Sequence, residues 1–92
     1  MTVPAHTAAR RRLVPLRSLA AGVCARIVEI DGKPDLVVRL NEMGLRPGCD
    51  LRMVRPGRTC IVAMDNHRYG FRGADAAHVL VEVDGADLAF SE

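Results

Sequence analysis

The chain has no tryptophan, one tyrosine (Tyr69) and two phenylalanines (Phe71, Phe90) in 92 residues. A surface that stacks nucleobases needs more aromatic faces than this, so single-strand nucleic-acid binding is not expected. No apolar run approaches the ~20 residues that cross a bilayer. The amino end lacks the apolar h-region of a secretory signal. The cysteines, Cys24, Cys49 and Cys60, form no C-x-x-C pair, which removes the common zinc and redox signatures. The expected compartment is the cytoplasm, where such thiols stay reduced. No glycine-rich loop ends in Lys-Ser/Thr, so a P-loop is absent. Ser18 has no spaced His and Asp framework, and a Cys49–His67 pair would need a third orienting group. No enzymatic activity is expected.

A chain this short makes one domain and buries only about 60–65 % of its unfolded surface. Its core therefore offsets chain entropy with little surplus. The formal net charge of +2 is unevenly spread. Residues 1–20 hold Arg10, Arg11, Arg12 and Arg17 with no acid, and residues 73–92 hold Asp75, Glu82, Asp84, Asp87 and Glu92 with no base. Residues 1–14 read as a flexible basic leader, 15–84 as the folded domain and 85–92 as an acidic end.

Within the domain, Gly22 to Ile30 is β-branched and alternates at Val23, Ala25 and Ile27, which predicts a strand. Asp31-Gly32-Lys33-Pro34 breaks it, and Asp35 is placed to cap a following helix that runs to about Met43. Leu36, Val37, Leu40 and Met43 share one face of that helix. Gly44 stands where a left-handed residue would stop it, with Leu45 packing back, and Pro47-Gly48 sets a turn. Asp50 to Arg55, Cys60 to Met64 and His67 to Arg72 predict three more strands, the last two joined by a tight Asp65-Asn66 hairpin. A helical turn over residues 75–78 precedes a final strand from Val79 to Val83. The expected fold is mainly β: a small SH3-like barrel of five strands, with one short helix between the first two and a helical turn before the last. Closure would hide the sheet edges.

The run Arg39-Leu40-Asn41-Glu42-Met43-Gly44-Leu45-Arg46-Pro47-Gly48 resembles the "RLxxxGLxPG" signature of the FeoA family of small ferrous-iron transport proteins. Leu16, Leu19 and Gly22, followed by Ile27, resemble its opening. Tyr69-Gly70-Phe71-Arg72 with Ala76, Val79 and Val81 resembles its closing segment, with Gly70 and Phe71 standing where Ala and Leu are usual. The resemblance spans about residues 16–83. It implies an accessory protein that binds and modulates the cytoplasmic part of a FeoB-type GTPase permease, peripheral to the membrane at most. The family supplies no catalytic residues to carry over. The same domain also occurs appended to DtxR-type iron-dependent repressors, so a stand-alone regulatory module of such a system is the alternative. The Arg10-Arg11-Arg12 cluster is what favours it.

His6, His67 and His78 and the three cysteines show neither i,i+4 nor C-x-x-C spacing, so no cofactor is expected. Fe²⁺ or another divalent metal at a lone surface histidine is the remaining alternative. Cys60 reads as a small buried hydrophobe and Cys49 as exposed at its turn. The expected partner-binding surface is the helix and its flanking turn: Arg39, Glu42 and Arg46, the exposed part of Leu45, and Arg52 and Arg55 alternating outward on the next strand.

Overall fold

The computed structural model describes residues 11–84. The basic leader up to Arg10 and the acidic end from Gly85 lie outside the described residues. Six strands form one antiparallel sheet: β1 (Arg11–Pro15), β2 (Cys24–Ile30), β3 (Asp50–Arg55), β4 (Thr59–Met64), β5 (His67–Arg72) and β6 (Val79–Asp84). A 3₁₀ turn, Leu16–Ser18, follows β1, the helix α1 (Pro34–Glu42) joins β2 to β3, and the short helix α2 (Gly73–Ala76) precedes β6.

Across the sheet the strands run β1-β6-β2-β3-β4-β5. This corrects the expected five-stranded, closed or nearly closed barrel in two respects. Residues 11–14, assigned by charge to a flexible leader, pair with β6 from Arg11↔Asp84 to Pro15↔Leu80. The edge of β6 that a five-stranded barrel would bring to β5 is thereby occupied by β1, and the sheet stays open with β1 and β5 as its edges.

The sheet's inner face carries the core. Ala25 and Ile27 of β2, Leu51 and Met53 of β3, Cys60, Val62 and Met64 of β4, and Val79, Val81 and Val83 of β6 are all buried. Their spacing of two residues is what places them on one side of each strand. Leu16 and Leu19 close one end of this core across the 3₁₀ turn, where the Leu19 N–H donates to the Leu16 carbonyl at 3.1 Å. Tyr69 and Phe71 of β5 are half-buried and pack against it.

Leu36 and Leu40 are the buried residues of α1. The cap of α1 is not the expected Asp35. The chain enters through Lys33 in an extended conformation with no side-chain cap, and Pro34 takes the first helical position. Proline suits that position because its missing N–H would have no partner there anyway. Asp35 instead sits in the first turn, where a negative charge complements the helix dipole.

The helix ends as its sequence requires. Gly44 has φ +103°, its N–H donates to the Asn41 carbonyl at 2.9 Å, and the Leu45 N–H donates to the Leu40 carbonyl at 3.0 Å. These paired bonds are a Schellman motif, which satisfies carbonyls the helix leaves unpaired and folds Leu45 back onto the core. Four residues on, the Cys49 N–H donates to the Arg46 carbonyl at 3.1 Å, with Gly48 at φ +95°. Proline before a left-handed glycine makes this a type II turn. The β4–β5 hairpin turns through Asp65 and Asn66 at φ 49° and 67°, the two left-handed residues of a type I′ turn.

Candidate partner-binding surface

The six residues expected to form one surface fall into three situations. Leu45 is fully buried and offers a partner nothing; the Schellman bonds that stop α1 also drive its side chain inward. Arg39 is exposed but engaged. Its Nη2 lies 3.2 Å from Asp75 Oδ2, so the guanidinium ties α1 to α2. Glu42 and Arg46 are exposed on either side of the helix stop, and neither forms an ion pair among the described residues.

Arg52 and Arg55 belong to the outer face of the sheet. They are three residues apart, which on a regular strand would send them to opposite sides. A bulge corrects this: Met53 pairs with Val62 and Arg55 with Ile61, so Val54 is the extra residue and the alternation is reset. Both arginines thus stand outward, Arg52 opposite Ala63 and Arg55 opposite Ile61.

On the same face lie two arginines that the sequence reading did not single out. Arg68 pairs across Ala63, and Arg72 across Thr59. Their signal was present in the period-two alternation of β5: with Tyr69 and Phe71 turned to the core, residues 68, 70 and 72 must face out. The rows across β3, β4 and β5 therefore read Arg52–Ala63–Arg68 and Arg55–Ile61–Gly70, with Thr59–Arg72 beyond. A depression of about 550 Å³ is lined by Arg52, Arg68, Ala63 and Asp50, with Asp65 and His67 at its hairpin end.

The other half of the outer face is electrostatically compensated. Arg11 meets Glu82 at 3.2 Å and Arg26 meets Asp50 at 2.9 Å. The hydrogen bond and charge of Asp50 raise the Arg26 pKa.

No three His, Cys, Asp or Glu side chains come together to hold a metal among the described residues. His67 packs its Nδ1 3.0 Å from the Asp65 carbonyl in the hairpin, and its ring lies 6.4 Å from that of Tyr69. Cys60 is buried, and burial pushes its thiol pKa up. Cys49 is half-buried, donating toward the Gly44 carbonyl at 3.5 Å, while Cys24 is exposed. No helix among the described residues is long and apolar enough to cross a membrane.

Several solved structures share this fold. An iron uptake regulatory protein, FeoA, is 25 % identical with a TM-score of 0.70, over 76 % of this chain and 96 % of its own. FeoA of Chlorobium tepidum is 26 % identical with a TM-score of 0.70, over 76 % of this chain and 70 % of its own. IdeR of T. acidophilum is 29 % identical with a TM-score of 0.73, over 78 % of this chain, but the match spans only 34 % of IdeR. No curated protein matches the chain. The FeoA domain model matches residues 14–83, and the chain therefore belongs to the FeoA family, which is linked to iron transport.

Proposed function

We propose that this protein is a non-enzymatic accessory factor of ferrous-iron uptake, which binds the cytoplasmic part of a FeoB-type GTPase permease and modulates it. The observation that carries the reading is coverage. The family match takes in nearly all of the described chain, and the similar FeoA structure is spanned over 96 % of its length. A match of this extent places the described fold within the FeoA domain itself, and in this reading the domain acts through a surface. The surface proposed for the permease is the end of α1 and its turn, where Glu42 and Arg46 stand exposed and form no ion pair among the described residues. Fe²⁺ is the cargo of the transporter in this reading, not a resident cofactor of the accessory protein.

The test is a pull-down with the permease's cytoplasmic region. The double variant Glu42→Lys, Arg46→Glu should lose capture, while Arg17→Glu, an exposed change elsewhere, should retain it. Undiminished capture by the double variant would remove the helix–turn surface from the account.

The IdeR likeness favours a second reading, a regulatory module of an iron-responsive repressor system. Its sequence support is weaker in the folded protein, because Arg11 and Arg12 are strand residues and Arg11 is paired with Glu82. Salt-dependent binding to duplex DNA that is lost on deleting residues 1–10 would support this second reading.

A further inference from the structure

The outer face of β3–β5 holds Arg52, Arg55, Arg68 and Arg72, all exposed. None is within ion-pair distance of a carboxylate among the described residues. Their cross-strand neighbours on this face are Ile61, Ala63, Thr59 and Gly70. On the β1–β6–β2 half Arg11 is matched by Glu82, and Arg26 by Asp50 of β3. On β3–β5 four arginines outnumber the two carboxylates beside them, Asp50, already engaged by Arg26, and Asp65 of the hairpin, which leaves this half of the sheet with a cationic excess.

A protein partner's tight interface is usually anchored by a buried aromatic or large apolar side chain. Among the described residues this face presents no aromatic side chain, because Tyr69 and Phe71 of β5 pack against the core. Duplex DNA is commonly read by an element that enters a groove, whereas these four arginines are spread across β3 and β5 on the face of the sheet. What remains complementary to a broad cationic sheet without an anchor is a broad anionic surface. Arginine suits it because its planar fork bonds phosphate oxygens bidentately.

We infer that the β3–β5 face is a docking surface for anionic phospholipid headgroups, holding the protein reversibly against a bilayer. Each cation near such a surface strengthens partition by about fivefold at low salt. No apolar side chain inserts, so the attachment is electrostatic and screened within a Debye length of about 10 Å at 0.1 M salt. The inference does not depend on permease binding, since Glu42 and Arg46 lie on a different element and the bilayer alone suffices to test it.

The experiment is co-sedimentation of the full chain with vesicles of 30 mol % phosphatidylglycerol in phosphatidylcholine, against phosphatidylcholine alone, at 50 and 500 mM NaCl. Binding is expected to the anionic vesicles only, at the lower salt. The double variant Arg52→Glu, Arg68→Glu should weaken it more than tenfold. The control variant Arg12→Glu, Arg17→Glu, with the same change in net charge off this face, should weaken it by less than threefold. Circular dichroism of each variant establishes that it folds. No preference for anionic vesicles overturns the inference, as does equal weakening by both double variants. Binding to a 20-base-pair duplex in place of vesicles, lost in the Arg52, Arg68 variant, also overturns it and assigns the face to nucleic acid.

Discussion

Gly73 lies directly against the backbone of Gly57, and its N–H donates to the Arg58 carbonyl at 2.7 Å. A Cβ at position 73 would collide with the Gly57 carbonyl oxygen. The constraint is close approach between the β3–β4 loop and the start of α2, the kind of site that glycine serves by lacking a side chain. Gly73→Ala should therefore cost about 1–3 kcal/mol, the range for overpacking a tight site. Urea denaturation measures it. A change below about 0.5 kcal/mol would show that the loop yields freely.

Leu45 tests the reassignment from surface to core. Leu45→Ala should cost about 2–5 kcal/mol, as for other leucines fully removed from water. Gly44→Ala should cost about 1–2 kcal/mol, because alanine must adopt the left-handed conformation that stops α1. If Leu45→Ala left stability intact but abolished partner binding, the buried placement of Leu45 would be contradicted.

The sequence made most of the central segment readable because its signals are local. Gly44, Pro47-Gly48 and Asp65-Asn66 each demand particular backbone angles, and the structure has positive φ at Gly44, Gly48, Asp65 and Asn66. The alternation Cys60, Val62, Met64 likewise gave the core face of β4. β1 was missed because an edge strand buries little: Leu13 is 57 % exposed, and Arg11 and Arg12 carry the charge that marked the segment as a leader. Only pairing with β6, about 70 residues away in sequence, makes it a strand. The candidate surface was half legible. Outward arginines follow from period two, but the engagement of Arg39 by Asp75 and the bulge that turns Arg55 outward are tertiary facts. The placement of Asp35 failed for a local reason, since Pro34 already supplied a good first helical residue.

The thiols should separate by burial. With a maleimide at neutral pH, Cys24 should react first and Cys49 more slowly, with Cys60 reacting only as the protein unfolds. Mass spectrometry of timed samples would show the order. Labelling of Cys60 as fast as Cys24 would contradict a closed core.

Burial of Cys60 also couples stability to pH. Its pKa is raised in the folded protein, so the native state keeps a proton that the unfolded chain releases. That contribution is fully present below the unfolded thiol pKa of about 8.5 and is lost as pH rises through the folded value. The urea midpoint should therefore fall between pH 8 and pH 10 by more in the wild type than in Cys60→Val. Equal falls would show that the thiol takes no part.

The central claim is that this small domain acts by binding a transporter's cytoplasmic region. Calorimetry of the purified full chain against the soluble cytoplasmic domain of its cognate GTPase permease tests it most directly, with and without a GTP analogue and Fe²⁺. The account predicts saturable one-to-one binding that changes with the nucleotide and is lost in Glu42→Lys, Arg46→Glu. Absence of heat and of complex under all of these conditions would contradict it.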